Sequence, residues 1–297
     1  MAIQWYPGHM HKATKEIKQN LSKVDVIIEV LDARLPYSSQ NPVIQALDSQ
    51  KPRIKLLNKQ DLADPEITAE WIEAFKQTST VNALAVSASE QGKVKHAVHT
   101  AVEQFVSINK RSTRSVNALI TGIPNVGKST LINGLAGKHI AKTGNEPAVT
   151  KGMQRIDCGQ GLMLFDTPGI LWPKIHNEHS GYRLAFTGAI KNTAMDADDV
   201  AFYACEYVMT HYPEQLMAHF KLDQLPETEM ELFQAVGENR GRLGKGGKVN
   251  LYQMTEIFLN ELRAGLIGRL SYETPAMIER EEAVLRAKAA KDEQANR

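Results

Sequence analysis

The chain has 297 residues, and its 35 Lys and Arg against 34 Asp and Glu leave a formal net charge of +1. With 42% apolar residues, it has material for one large or two medium cores, while the balanced charge excludes any global pull toward nucleic acid or membrane and leaves that role to local patches. Cys158 and Cys205 show no metal-ligand spacing and exclude a disulfide framework; residues 1–20 lack the apolar centre of a signal peptide and no run reaches the ~20 apolar residues of a membrane span, so a soluble cytoplasmic protein is expected.

In chain order, residues 10–22 carry a helical pattern, 24–31 (VDVIIEVL) and 53–57 (RIKLL) read as buried strands, and 65–76 read as a helix. A strand is predicted over 81–86, a helix over 93–109, a strand over 116–121, a helix over 128–135 and a strand over 162–165. Short apolar strands alternating with helices predict an α/β fold, a doubly wound and mainly parallel sheet covered on both faces. Its ligands would sit at the carboxyl ends of the strands. After about Trp172 strand runs stop, and 183–191, 198–212, 227–236 and 250–264 read as helices. Two domains are expected, 1–178 with the sheet and an all-helical 179–297. Its charged, alanine-rich tail over 279–297 is expected to be a fraying helix end.

The sequence GIPNVGKS, residues 122–129, matches the phosphate-loop pattern GxxxxGK[ST], with a strand before it and a helix after it. The backbone N–H groups of Asn125, Val126, Gly127, Lys128, Ser129 and Thr130 would face phosphate at the helix N-terminus. Lys128 would neutralise the β- and γ-phosphates, and Ser129 would ligate Mg²⁺, a hard ion that prefers oxygen. In DTPG, residues 166–169, Asp166 ends a strand where it can hold Mg²⁺, and the Gly169 N–H can sense the γ-phosphate.

In NKQD, residues 58–61, Asn58, Lys59, Gln60 and Asp61 follow a strand and resemble the NKxD motif of G proteins. Asp61 can accept from both the ring N1–H and the exocyclic amine of guanine. Adenine offers no such pair, a mismatch worth roughly 10⁴-fold or more. Asn58 can tie this loop to the phosphate loop, and the Lys59 stem can cover the base. The tripeptide SAS, residues 87–89, resembles the fifth G motif, in which Ser87 and the N–H of Ala88 would meet the base. These motifs specify GTP as substrate.

Ordinary G proteins run phosphate loop, DxxG, NKxD, SAS; here the order is NKQD, SAS, GIPNVGKS, DTPG, a circularly permuted G domain. All four loops still end strands, so the site survives the reordering, and the second switch leads directly into the helical segment. This order, with WYPGHM at 5–10 and DARLP at 32–36, resembles the ribosome biogenesis GTPase A family, also called YlqF, over nearly the whole chain. The resemblance implies a bacterial GTPase acting in late assembly of the large ribosomal subunit, with ribosomal RNA contacts in its helical domain.

Ile170 stands where many G proteins place a water-orienting glutamine. Either hydrolysis is slow or another residue orients water. On residues alone His9 is equally a helix cap or a catalytic imidazole; the resemblance implies the latter. Asn125 is either a loop cap or, as in potassium-dependent G proteins, a K⁺ ligand beside the phosphates. PAVT, residues 147–150, is similar to a PGVT switch, with Ala148 for glycine, making Thr150 the second Mg²⁺ ligand and γ-phosphate sensor. Asp32 is read as structural. Arg240, Arg242, Lys245 and Lys248, with Arg263 and Arg269 beyond, form a basic glycine-rich stretch that suits RNA phosphate or is simply solvated. A monomer without membrane attachment is expected. A signalling G protein and a nucleotide-gated RNA-binding module without useful turnover are the competing readings.

Overall fold

A computed structural model describes residues 3, 5–47, 50–105, 115–141, 153–242 and 249–295. The elements run α1 (Gly8–Asn20), β1 (Val26–Asp32), α2 (Pro42–Leu47), β2 (Arg53–Asn58), α3 (Pro65–Lys76), β3 (Val81–Ala85), α4 (Gln91–Phe105), β4 (Val116–Gly122), α5 (Lys128–Ala136), β5 (Gln154–Asp157) and β6 (Leu162–Asp166). Helices follow: α6 (Glu178–Phe186), α7 (Ala197–His211), α8 (Pro213–Phe220), α9 (Glu229–Asn239), α10 (Leu251–Ala264) and α11 (Pro275–Ala295).

The six strands form one sheet in the order β3-β2-β1-β4-β6-β5. Pairing is parallel except between β5 and β6, so the expected α/β class holds. β1 and β2 are buried at every position, so β1 reads as an apolar run interrupted only by Glu29 before its closing Asp32, rather than as an alternating one. Their charged residues are neutralised across the register: Glu29 lies opposite Lys55, 3.7 Å away, and accepts from the Asn41 N–H at 3.1 Å. Parallel pairing brings the carboxyl ends of β1, β2, β3, β4 and β6 to one edge. That edge carries Asp32, the NKQD loop, the SAS loop, the phosphate loop and DTPG.

One apolar cluster runs from α1 and the sheet into the helices, through Met10, Ile28, Leu119, Leu171, Phe186 and Phe258. A smaller one joins Leu31, Leu57, Trp71 and Ile278 between the sheet end, α3 and α11. Several elements depart from expectation, among them the short α2, which was not anticipated. β5 buries only Ile156, so this edge strand offers no apolar run to read. α6 begins earlier than predicted because the Asn177 side chain caps the Ser180 N–H. α8 restarts at Pro213, whose fixed φ suits the first helical position. The charged tail is not a solvated end at its start. Arg183 takes Glu281 and Tyr37 donates to Glu282, which docks the first turns of α11 while Val284 beyond is 68% exposed.

Candidate guanine-nucleotide site

The phosphate loop leaves β4 at Gly122 and enters α5 through Gly127, which has φ of 89°. A Cβ there would collide with the Asn58 amide nitrogen, so glycine is required by conformation and by space. Asn58 ends β2 and is 1% exposed. Its Nδ2 donates to the Val126 carbonyl at 2.8 Å, and its Oδ1 accepts from the Ala88 N–H at 3.0 Å. One side chain thus joins the NKQD loop, the phosphate loop and the SAS loop. In this structure the Ala88 N–H, expected to meet guanine, is held by Asn58; Ser87 is buried and pairs its hydroxyl with Ser89 at 2.7 Å.

Lys59 adopts φ of 63°, and its ammonium lies 2.8 Å from Asp32 Oδ2. Arg34 holds Asp32 through two bonds of 2.9 Å. Burial alone would raise the Asp32 carboxyl, but Arg34 and then Lys59 keep it well below the usual carboxylate range. Asp32 is therefore structural, as read, and its load is the orientation of Lys59. The Gln60 N–H donates to the Val86 carbonyl at 3.2 Å, and the Asp61 side chain is exposed at the rim, where a base could reach it.

Opposite, Lys128 is 6% exposed and ion-paired with Asp166, which is fully buried. Burial pushes the Asp166 carboxyl up and the Lys128 ammonium down, each opposed by the other's charge. Asp166 Oδ2 is buried without a hydrogen-bond partner. An orphaned hard oxygen on Asp166, whose other oxygen holds Lys128 at the start of α5 where Ser129 and Thr130 are half-buried, fits a Mg²⁺ site. At Gly169 a Cβ would lie 3.1 Å from Pro124, so DTPG packs directly on the phosphate loop. The Ile170 N–H donates to the Gly122 carbonyl at 3.2 Å. The Ile170 side chain is fully buried.

α1 supplies the neighbouring side chains. Met10 is buried, and its sulfur accepts from the Leu171 N–H at 3.4 Å, which brings the first α1 turn, with exposed His9, beside the exit of DTPG. Asn125, with φ of 59°, donates from Nδ2 to the Gly188 carbonyl at 2.7 Å, tying the phosphate loop to the end of α6. Thr150 and the rest of the expected first switch, with Lys245 and Lys248, lie outside the described residues.

Three of the described basic residues of the helical segment are engaged by the protein itself. Arg240 pairs with Glu261 at 2.9 Å and stacks over Phe220 at 5.1 Å. Arg263 turns inward to the Phe186 and Ala185 carbonyls at 2.8 and 3.1 Å. Arg269 binds the Ala63 and Gln60 carbonyls. Arg242 is exposed. Reading Arg263 and Arg269 as added surface charge is thus corrected, because both guanidinium groups satisfy backbone carbonyls. Neither they nor Arg34 carry a local motif that announces such contacts.

A phosphate loop with a buried lysine–aspartate pair, bound through one asparagine to a guanine-type loop, defines a GTP-hydrolysing P-loop enzyme. The sequence profile of the family described as 50S ribosome-binding GTPase matches residues 117–224. Ribosome biogenesis GTPase A of Priestia megaterium is 45% identical over 94% of this chain and 99% of its own length. That of Thermotoga maritima is 32% identical over 92% and 95%. Among solved structures, GNP-bound YlqF from T. maritima matches with a TM-score of 0.62 at 28% identity, covering 89% of this chain and 98% of that one. The chain belongs to the ribosome biogenesis GTPase A family.

Proposed function

We propose that this GTPase is an assembly factor for the large ribosomal subunit, binding the precursor particle and its ribosomal RNA in the GTP state and leaving after hydrolysis. The observation that carries the nucleotide part is Asn58, which binds Val126 and Ala88 and so closes a base loop onto a phosphate loop. The ribosomal part is supported by the family and by the profile's description. The enzyme is proposed to work in the cytoplasm as a monomer, with residues 1–178 as the GTPase domain and 179–297 as the RNA-facing domain. Arg242, Lys245 and Lys248 are its candidate RNA contacts, and the engaged Arg240 contributes less.

Asp61 reads guanine, Lys59 covers the base, and the N–H groups of residues 125–130 with Lys128 hold the phosphates. Ser129, Thr150 and, through Oδ2, Asp166 would hold Mg²⁺. That ion would neutralise charge developing on the β- and γ-oxygens, and K⁺ held by Asn125 would add to this. The Gly169 N–H senses the γ-phosphate. With Ile170 buried, water is oriented by the His9 imidazole, worth about 10²-fold or more.

The test is GTP turnover by wild type and His9→Ala, in K⁺ and in Na⁺, with and without large ribosomal subunits. Strong stimulation of the wild type by subunits in K⁺, and a mutant that binds GTP but stays slow, are expected. If subunits leave turnover unchanged, the ribosomal reading falls. A mutant as fast as wild type removes His9 from catalysis.

A further inference from the structure

The segment joining α10 to α11, residues 265–274, lies against the NKQD loop. Arg269 donates from Nε to the Ala63 carbonyl and from Nη2 to the Gln60 carbonyl, both at 2.9 Å. The Leu270 N–H donates to the Leu62 carbonyl at 2.9 Å, and the Asp64 N–H donates to Ser271 Oγ at 3.1 Å. A side chain at Gly265 would meet Leu62 Cδ2 at 2.6 Å, so the two segments are in close contact there. From beneath, Arg34 bridges Asp32, which holds Lys59, to the Leu262 and Arg263 carbonyls at the end of α10, at 3.5 and 3.3 Å.

Just after NKQD, the Leu62 N–H donates to the Lys59 carbonyl at 2.9 Å and the Ala63 N–H to the Gln60 carbonyl at 3.3 Å, while the Gln60 N–H donates to the Val86 carbonyl at 3.2 Å. The carbonyls of Gln60, Leu62 and Ala63 accept from the connector. Lys59 sits in left-handed backbone, a conformation that persists when neighbours over-determine it. Arg269 presents a planar fork of fixed geometry to two carbonyls three residues apart. Asp61 lies between those two carbonyl residues with its side chain exposed.

We propose that the α10–α11 connector belongs to the base-recognition apparatus, with Arg269 as a positioning residue that fixes the aim of the Asp61 carboxylate at guanine. The proposal rests on reading residues 58–61 as the guanine loop. It assigns guanine selectivity jointly to the sheet and to the helical segment. Misplacement of a recognition group by about 1 Å can cost on the order of 10²-fold; a turn that keeps its Asn58 and Asp32 anchors will shift less, with an expected loss of about tenfold.

Equilibrium binding of GDP and of inosine diphosphate, which lacks the exocyclic amine, separates aim from stability. It is measured on the full chain as wild type, Asp61→Ala, Arg269→Ala and Arg269→Gln, the last with an amide too short to span both carbonyls. The wild type should prefer GDP and Asp61→Ala should lose that preference. Arg269→Ala should lose about tenfold of the ratio and release GDP faster, with Arg269→Gln in between. A purely structural arginine would lower the melting temperature and leave the ratio intact, which overturns the proposal. If Arg269→Ala does not fold, Arg269→Gln decides, and an unchanged ratio there has the same consequence. An unchanged ratio in Asp61→Ala instead removes the guanine-loop reading, and the clamp with it.

Discussion

Asn58→Ala tests whether one buried amide holds the nucleotide site together. The substitution removes the 2.8 Å bond to the Val126 carbonyl and the 3.0 Å bond from the Ala88 N–H. Val126 is 1% exposed, so its carbonyl is left without access to water, at about 1–3 kcal/mol. Ala88 is half-buried, and its N–H can recover water, so about 0.5–1.5 kcal/mol is lost there. The sum, roughly 1.5–4.5 kcal/mol, falls on the relative placement of base and phosphate loops. It should appear as a Kd for GDP weaker by roughly 10- to 1,600-fold, at about tenfold per 1.4 kcal/mol. Titration with a fluorescent GDP analogue reads the affinity, and a thermal melt reads global stability. Asn58→Asp is the control: it keeps an acceptor for Ala88 but sets a carboxylate against the Val126 carbonyl, and should bind no better than the alanine variant. Affinity within threefold of wild type in Asn58→Ala would refute the reasoning.

Asp32→Asn leaves the buried Arg34 without its carboxylate, an expected loss of about 3–5 kcal/mol. The folded Asp32 pKa is depressed, so its contribution is complete above the unfolded value of about 3.9 and disappears as pH falls toward the folded one. In urea melts the gap between wild type and variant should therefore narrow below about pH 4; a gap that stays constant into acid would contradict the assignment. Asp166→Asn removes the orphaned Oδ2 proposed for Mg²⁺, and Mg²⁺ affinity of the GDP complex should fall by about 10–100-fold, read as GDP retention during chelator titration. Retention unchanged from wild type would place the ion elsewhere.

β1 was legible because burial on both faces favours a near-continuous apolar run, interrupted there only by Glu29 before the closing Asp32. The loop motifs were legible because each needs particular atoms at particular backbone positions. Asn58 could be anticipated as a tie between loops because its motif fixes both its type and its place. Arg34, Arg183 and Arg269 could not. Each satisfies carbonyls or carboxylates distant in sequence, and a guanidinium in a glycine-rich stretch looks the same whether solvated or docked. Arg183, 2% exposed, reaches Glu281 at 3.0 Å and Glu273 at 3.5 Å, partners about ninety or more residues away. The start of α11 was hidden for the same reason, since Glu281 and Glu282 differ from their exposed neighbours only in what they meet.

The permuted order explains why the helical segment reaches so much of the site. DTPG continues through residues 170–177 into α6, whose Arg183 is locked to α11. The phosphate loop meets the turn after α6 through Asn125 and Gly188, and the base loop meets the connector through Arg269. Three parts of one nucleotide site are thus tied to helices outside the sheet. Any partner that binds those helices more tightly in one nucleotide state must change nucleotide affinity by the same factor in return. The route determines the signature. Acting through Arg269, a partner would alter discrimination between guanine and hypoxanthine while leaving the phosphate contacts alone. Through Asn125 it would alter phosphate and cation binding and leave base selectivity intact. Measuring both quantities in the presence of a ribosomal particle therefore distinguishes which tie carries the coupling.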